Sequence, residues 1–487
     1  MAPIGAESPA RARARARPLP DKAIPATVRA FPLANLAGSV LLWGMYSYTK
    51  DDIMKMVAEN DVRFIRLQFT DIFGTLKNVA ISVSQLEKAL NNRCMFDGSS
   101  IEGFVRIEES DMILRPDLNT FCLFPWRPSP NRVARLICDV STPGGTPFAG
   151  SPRQVLKNVI EECRNMGYTF NVGPELEFFL FHTDAEGGPT LKTLDNGGYF
   201  DMGPIDLGEN ARRDMVLTLE EMGFEIEASH HECARGQHEI DFKYSEALEA
   251  ADRMMTFKMA VKTVAQRHGL HATFMPKPIY GIAGSGLHLN MSLSQGKKND
   301  FASDTDANGL SPLAYHFIAG IMKHIKGITA IANPLVNSYK RLVPEYEAPV
   351  YIAWSAHNRS PLIRVPDADE HASRVELRSP DPAANPYLVL ALVLAAGLEG
   401  VREKLVPPPS VDGNIYAMTA GERKRRKVES LPSDLDEAIQ CMKKDPLVKR
   451  VLGEHIFEKY IEAKELEWKE YKNCVSQWEI DSYLAKY

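Results

Sequence analysis

The sequence predicts a mixed α+β protein with a small N-terminal domain and a larger C-terminal domain. Short segments of strand-like alternation are interleaved with segments of helical period, and a cluster of glycines and prolines at 142–150 divides the chain. The 487 residues are enough for two or three domains with a large buried core. Apolar residues at 44% and charged residues at 25% exclude a disordered or fibrous chain.

The first domain is predicted over residues 45–148. Thr49 is placed to cap a short helix whose first turn carries Asp51 and Asp52. Residues 63–70 alternate in the manner of a half-buried strand, and residues 132–139 predict another. We therefore expect a compact mixed domain that ends at the glycine and proline cluster.

The second domain is predicted over residues 149–487. Ser151 with Pro152, and Ser311 with Pro312, give helix starts in which serine is the N-cap and proline occupies the first turn. A third helix is predicted after Pro386, where about a dozen apolar residues follow. That run predicts a buried helix, because a membrane span needs about 20 apolar residues.

Residues 1–44 differ in charge from the rest of the chain. They carry six basic and two acidic residues, so the remainder has a net charge of −10. We predict that this segment is a disordered extension or untranslated upstream sequence, with Met45 as the favoured start; an Arg-rich targeting peptide is the alternative. The acidic body disfavours nucleic acid as a partner, because phosphate binding needs clustered Lys and Arg.

The seven cysteines include no C-x-x-C pair. An odd count without such spacing predicts reduced thiols, and with them a cytoplasmic location.

Polar residues that can bind a metal ion recur at predicted strand positions in three places. Glu175 and Glu177 share one face of a predicted strand, and Glu232 and Glu239 lie in a second polar cluster. In a third segment, alternation aligns His288 with Asn290 and Ser292. Carboxylates gathered around one imidazole favour Mg²⁺ or Mn²⁺. A salt-bridged pair is the alternative for Glu175 and Glu177 alone, and a hydrogen-bonded core histidine is the alternative for His288 alone.

A basic group follows in the C-terminal half of the chain. Arg374, Glu376 and Arg378 alternate on one predicted strand face, and further arginines precede them at 341, 359 and 364. Arginine suits bidentate capture of carboxylate or phosphate. Together with the glycine-rich segment 281–286, this predicts a nucleotide phosphate that meets an anionic substrate, without a P-loop. A plain ion-pair network on a sheet is the alternative.

Six motifs taken in order closely resemble class I glutamine synthetase. They are 173–179 (GPELEFF), 274–278 (FMPKP), 284–288 (GSGLH), 337–344 (NSYKRLVP), 355–360 (SAHNRS) and 381–387 (DPAANPY). The resemblance runs from about residue 46 to 487. It implies a small β-grasp N-terminal domain and a large catalytic α/β domain with a curved antiparallel sheet. It further implies a dodecamer of two stacked hexameric rings, with active sites between subunits.

The resemblance also implies roles for individual residues. It implies ligands for two or more divalent cations per site: Glu177, Glu232 and Glu239 for one, and Glu175, His288 and Glu376 for the other. Glutamate would be bound by Gly284, Arg341, Glu347, Arg359 and Arg378. ATP would be bound by Tyr244, Asn290, Ser292, Arg359, Arg364 and Arg374. The catalytic residues would be Asp97, Glu347 and Arg359, with Asp97 supplied by the neighbouring subunit.

Regulation is implied as well. Arg106 resembles the arginine of the glutamine-inhibited subgroup, and the residues around Tyr416 are those of the subgroup that is not adenylylated. A regulatory protein partner is left open. Three residues depart from the common pattern, namely Leu176, Ala283 and Glu345, and none of them is a predicted metal ligand.

The implied reaction is ATP-dependent. The γ-carboxylate of glutamate is phosphorylated, and ammonia then displaces phosphate to give glutamine, ADP and phosphate. Ligation of glutamate to an amine or polyamine, and a ring-forming pseudoenzyme, are the alternatives. The intact Asp97 and Glu347 favour ammonia, and the complete set of carboxylates and arginines disfavours a pseudoenzyme.

Overall fold

The computed structural model describes residues 47–99, 101, 103, 111–127, 129–344, 348–367 and 372–487. The predicted extension 1–44, together with Arg106 and Glu347, lies outside these residues. Tyr48–Tyr487 is one structural unit. Within it, buried apolar residues form two large cores, each built on its own sheet.

The first core is built on a six-stranded sheet of order β2-β1-β6-β4-β3, with β5 also paired to β6. Its strands are β1 Val62–Thr70, β2 Leu76–Ser82, β3 Cys94–Asp97, β4 Asp111–Pro116, β5 Cys122–Leu123 and β6 Arg132–Ser141. The pair β1 and β6 is parallel, and the other pairs are antiparallel. Both strands predicted from alternation are confirmed as β1 and β6.

Two helices pack with this sheet, α1 Lys50–Glu59 and α2 Leu86–Leu90. Thr49 caps α1 as predicted: its hydroxyl accepts the Asp52 amide at 3.2 Å, and the Asp52 carboxylate accepts the Thr49 amide at 2.8 Å. This reciprocal capping box satisfies two amides that the helix itself leaves unpaired.

The second sheet has eleven strands, with the path β16-β17-β18-β13-β7-β10-β9. Its members are β7 Thr169–Thr183, β8 Pro189–Thr193, β9 Ile226–His231, β10 Gln237–Phe242, β11 Ser245–Glu246, β12 Leu270–Thr273, β13 Leu287–Gln295, β14 Lys298–Asn299, β16 Trp354–Ser355, β17 Ile363–Arg364 and β18 Val375–Leu377. Along the path only β16 and β17 are parallel. The predicted fold class is thus confirmed, with one parallel pair in a sheet predicted as antiparallel. The short strands β15 Tyr351–Ile352 and β19 Glu429–Ser430 pair with each other.

Ten helices accompany this sheet in the described residues. They are α3 Pro152–Asn165, α4 Glu209–Glu221, α5 Ala247–Arg267, α6 Pro312–Ala332, α7 Ser338–Arg341, α8 Pro386–Glu403, α9 Ala420–Arg425, α10 Leu435–Lys444, α11 Pro446–Asn473 and α12 Gln477–Tyr483. The starts of α3 and α6 are those predicted from the Ser-Pro pairs, and α8 begins at Pro386, where the third helix is predicted. The Ser311 hydroxyl caps α6, whereas the Ser151 side chain makes no capping bond, so proline alone marks the start of α3.

Helix α8 is apolar around its circumference and almost wholly buried, as predicted, and it continues to Glu403. None of the helices in the described ranges is both long enough and apolar enough to cross a membrane.

Arg153 on α3 links the two cores. Its guanidinium contacts Asp117 at 2.7 Å and Asp139 at 2.8 Å, both from the first sheet region, and Asp252 of α5 at 2.8 Å. Arg153 is only 4% exposed. Tyr387 of α8 completes the cluster by donating its hydroxyl to Asp252 at 2.7 Å.

Candidate active site

Strand register brings the predicted acidic residues together on neighbouring strands. His288 of β13 lies opposite Glu175 of β7, and Glu177 of β7 lies opposite Glu239 of β10. On the far side of β13, Glu376 of β18 lies opposite Asn290. Because each of these residues points to the same sheet face, side chains more than 200 residues apart in sequence form one polar surface.

One cluster on this surface consists of Glu175, His288 and Glu376, whose ligand atoms lie within 4.8 Å of one another. His288 Nδ1 is 3.1 Å from a Glu175 oxygen and 3.7 Å from a Glu376 oxygen. The structure therefore brings together all three residues of this predicted metal site.

Glu376 is held by two arginines. Arg378 contacts one of its oxygens at 2.5 Å and Arg364 the other at 3.0 Å. This carboxylate is only 2% exposed, so its two partners offset the cost of burying the charge.

A second cluster consists of His230, Glu232 and Glu239. His230 Nε2 lies 3.3 Å from Glu239, and His230 Nδ1 lies 3.6 Å from Glu232. Glu177, the third residue of the predicted site, lies beside this group. One of its oxygens accepts hydrogen bonds from Gln237 at 2.7 Å and from the Gly286 amide at 2.9 Å.

The carboxylates of this surface repel one another. Burial, reinforced by neighbouring negative charges, raises the pKa of Glu177, Glu239 and Asp241 above the usual range. Glu175 behaves in the opposite way: burial opposes its ionisation, but hydrogen bonds from His288 and Asn290 lower its pKa to about 2. By formal charge, the carboxylates that line the cavity outnumber its arginines.

The donor set suits a hard divalent cation. Carboxylate oxygens and imidazole nitrogens are the ligands present, and Glu239 Oε1 is buried without a hydrogen-bond partner in the described part of the chain. A buried carboxylate oxygen without a partner is costly, and a bound cation would satisfy it.

Both clusters open into one cavity of about 960 Å³. The positively charged part of the cavity wall is formed by Arg359, Arg364 and Arg378. Aromatic side chains of Tyr199 and Phe200 line another part of it. The cavity thus holds both signs of charge and has room for a nucleotide-sized ligand.

A smaller recess adjoins the cavity and is lined by Gly284, Arg341 and Arg378. Glycine is required at 284, since an added Cβ would lie 2.3 Å from the Pro276 carbonyl oxygen. Arg341 is buried and donates to the carbonyls of Ser379 at 2.8 Å and Pro380 at 3.1 Å. The recess is therefore rigid and positively charged on one side.

Other predicted residues are placed elsewhere. Asn290 contacts Glu175, and Arg374 contacts Asn290 at 3.0 Å, but neither lines the cavity. Tyr244 and Ser292 also lie outside the lining, and Tyr244 is exposed. Asp97, at the end of β3, is exposed and accepts the Ser99 amide at 2.8 Å.

Sequence reasoning missed several residues of the cavity. The most informative is His230, which stands opposite Glu239 in the register and joins the second cluster. The signal was present, because His230 and Glu232 are two residues apart and strand alternation places them on one face. Asp241 is related to Glu239 in the same way, and it also lines the cavity.

Comparison with known proteins places this geometry in context. Residues 149–483 match the family model "Glutamine synthetase, catalytic domain", and residues 61–143 match "Glutamine synthetase, beta-Grasp domain". A glutamine synthetase of Clostridium saccharobutylicum is 63% identical over 91% of this chain and 100% of its own length. One of Staphylococcus aureus (strain MW2) is 58% identical over 91% of this chain and 99% of its own.

Solved structures agree with this result. Apo GmaS superposes with a TM-score of 0.80 at 33% identity, covering 89% of this chain and 99% of that one. The Plasmodium falciparum glutamine synthetase determined by cryo-electron microscopy superposes with a TM-score of 0.80 at 26% identity, over 90% and 99% of the two chains.

Proposed function

The chain belongs to the glutamine synthetase family and makes glutamine from glutamate, ammonia and ATP, and from this premise we propose how its residues divide the work. The observation that carries the proposal is the meeting of the two acidic clusters and three arginines in one cavity. Such an arrangement suits phosphoryl transfer to a carboxylate, in which several negative charges approach one another.

The two clusters would hold divalent cations, Mg²⁺ or Mn²⁺. Glu175, His288 and Glu376 would hold one cation. Glu232 and Glu239 would hold the other, with His230 or Glu177 at its edge. When bound, the cations neutralise phosphate charge and polarise the transferred phosphoryl group. The clustered carboxylates, whose charges are otherwise unbalanced, fit this role.

The arginines would act on the two anionic substrates. Arg359 and Arg364 line the cavity and would stabilise the charge of the phosphoryl group as it moves to glutamate. Arg341 and Arg378 line the adjoining recess with Gly284 and would bind the glutamate carboxylates. Asn290, Arg374, Tyr244 and Ser292 remain proposed contacts of ATP.

Ammonium would be bound by Glu347 together with Asp97 of a neighbouring subunit. Asp97 is exposed on the N-terminal sheet and away from the cavity of its own chain, which supports its proposed service to a neighbouring subunit. Its carboxylate would attract ammonium and accept a proton. Glu347, which lies outside the described residues, would close over the γ-glutamyl phosphate and exclude water.

We also propose that the chain divides at residues 148 and 149 and assembles as a dodecamer of two hexameric rings in the cytoplasm. The separate cores of the two sheets support the division. The C-terminal segment leaves Val475, Trp478 and Leu484 exposed, and such apolar side chains at the end of a chain suit burial by another subunit.

For regulation, we propose the glutamine-inhibited subgroup that is not adenylylated. Tyr416 is half-buried, and its hydroxyl donates to the Ala348 carbonyl at 3.1 Å. A hydroxyl that is engaged in this way is a poor acceptor for a nucleotidyl group. Arg106, proposed for feedback, lies outside the described residues.

The test is ADP release by the purified protein with Mg²⁺, ATP and glutamate, with and without ammonium, alongside direct detection of glutamine. We expect ammonium-dependent glutamine, with kcat/KM lowered by about 10²–10³-fold in Glu232→Ala and strongly in Asp97→Ala. Glu225→Ala is the matched control, because Glu225 is exposed and pairs with Lys243 at the surface. Turnover with other amines but not with ammonium would overturn the assignment of ammonia. Unchanged activity in Glu232→Ala would overturn the proposed cation site.

A further inference from the structure

Four buried side chains form a polar cluster outside the cavity lining: Asp195, Asp206, His231 and His238. Their ligand atoms lie within 4.8 Å of one another, as in the two clusters of the active site. The resemblance that identified the active site assigns them nothing. Their hydrogen bonds show which segments of the chain they join.

Asp195 joins three segments of backbone. One of its oxygens accepts from His231 Nε2 at 3.1 Å and from the amides of Gly236 at 3.1 Å and Gly197 at 3.3 Å. The other accepts the Leu207 amide at 3.1 Å. A single carboxylate thus fixes the loop 195–208 to the turn between β9 and β10.

His231 connects Asp195 to the backbone of the active site. Its Nδ1 donates to the backbone carbonyl of Glu232 at 2.7 Å, while its own carbonyl accepts the Phe200 amide at 3.1 Å. Phe200 adopts a left-handed backbone conformation, with φ 62°, and its ring contacts the His230 ring edge-on at 4.8 Å. Both flanks of His231, residues 230 and 232, belong to the acidic cluster of the cavity.

Most polar atoms of the cluster already have partners within the chain, and His238 Nε2 is the exception, since it is buried without a hydrogen-bond partner in the described residues. Arg212 donates to Asp206 at 2.7 Å and lies 2.9 Å from His238 Nδ1. Both nitrogens of His231 and both oxygens of Asp195 have partners. A cation would displace a guanidinium that is already buried and paired, so the network is better explained as a support.

We propose that Asp195 and His231 are positioning residues, which hold the Glu232 carboxylate and the Phe200 edge of the cavity in the geometry that binds the cation. The inference deepens the proposed function and rests on its cation site at Glu232 and Glu239. The chain of contacts runs from Asp195 through the imidazole to the backbone of Glu232. Loss of either member therefore leaves the ligand in place but frees it to move.

The experiment measures Mn²⁺ binding to the full-length enzyme by electron paramagnetic resonance, together with the Mg²⁺ dependence of kcat. For Asp195→Ala and His231→Asn we expect the Mn²⁺ Kd of the affected site to rise by about 10–100-fold, as is typical when a support of a metal ligand is lost. Excess Mg²⁺ restores most of kcat. Asp195→Asn, which keeps oxygen acceptance for the amides, recovers part of the affinity.

The matched control is His324→Asn. His324 is likewise a buried histidine between carboxylates, with Nδ1 2.9 Å from Asp445 and Nε2 2.8 Å from Glu399, and none of these residues lines the cavity. We expect it to lower Tm as much as His231→Asn while leaving the Mn²⁺ Kd unchanged. This difference separates positioning from a general loss of stability.

Each remaining outcome decides the matter. An Mn²⁺ Kd within twofold of wild type in Asp195→Ala and His231→Asn would overturn the inference. If Glu232→Gln, measured in parallel, also left the Kd unchanged, the proposed function would fail instead. A tightly held metal ion in the wild type that is absent from Asp195→Ala would replace positioning by a structural metal site.

Discussion

The Arg153 cluster and the acidic surface of the cavity are built from the same kinds of side chain but differ in how fully their carboxylates are paired with cations. Around Arg153, three aspartates share one guanidinium, and Asp139 gains Lys157 as a second cation at 2.7 Å. The Arg153 and Lys157 charges lower the pKa of Asp139 even though burial opposes its ionisation. In the cavity, burial and mutual repulsion raise the pKa of Glu177 and Glu239.

The difference shows how function can be distinguished from architecture in a protein of this kind. A cluster whose ion pairs are closed within the chain stabilises the fold, since nothing further needs to bind. A cluster that leaves a buried carboxylate oxygen without a partner is stabilised when a cation or a proton binds there. Counting partners separates the two where residue type alone does not.

Removing Arg153 from its cluster of aspartates has the largest expected effect on stability. Arg153→Met leaves Asp252 buried without its cation, so we expect the free energy of unfolding to fall by about 3–5 kcal/mol. Denaturant titration measures this. Arg164→Met is the control on the same helix, because that exposed arginine pairs with an exposed Glu246. Folded Arg153→Met enzyme should keep its kcat, and a loss of less than 1 kcal/mol would show that the cluster does not carry the fold.

Removing a carboxylate from the acidic surface of the cavity should instead stabilise the metal-free protein, by a smaller amount that depends on pH. In the metal-free protein the folded pKa of Glu177 is raised to about 7 from an unfolded value of 4.5. The folded state therefore holds its proton more tightly, and stability from this group is present at low pH and declines as pH rises from about 4.5 to about 7.

Glu177→Gln removes this dependence. We expect the variant to be more stable than wild type at pH 7.5 in the presence of a chelator, by about 1–3 kcal/mol, and equal to it near pH 4.5. Unfolding followed across this pH range checks the prediction. Glu225→Gln, at an exposed site, should leave the pH profile unchanged. If the unfolding free energy of wild type and of Glu177→Gln changed equally with pH, the cavity would not destabilise the ionised form of Glu177.

The same contrast explains what the sequence could predict. Part of the acidic surface was predictable, because strand alternation puts Glu175 and Glu177 on one face and this signal is local. Glu232 and Glu239 stood out as a second polar cluster, and the resemblance implied their shared site with Glu177. His230 has a local signal of the same kind, with Glu232, and was overlooked. The fold class followed from the same alternation together with the Ser-Pro helix starts.

The closed networks were not predictable in this way. Arg153 meets Asp117 and Asp252, which are 36 and 99 residues away, and each is an unremarkable charged residue in its own segment. His231 points away from the cavity that its neighbour Glu232 faces, and its partner Asp195 is 36 residues distant. Tertiary packing alone brings such pairs together, so the hydrophobic periodicity of the sequence does not predict them.

The smallest expected effect lies within the Arg153 cluster itself, at its exposed edge. Lys157 pairs with Asp139, but its side chain is 36% exposed and Asp139 keeps Arg153 as a partner. Lys157→Met should therefore cost less than about 1 kcal/mol, and raising the salt concentration should abolish most of that cost because exposed pairs are screened. The deficit of Arg153→Met should persist in salt, since its charges are buried. If salt reduced the loss of stability equally in Arg153→Met and Lys157→Met, burial would not explain why Arg153 contributes more to stability than Lys157.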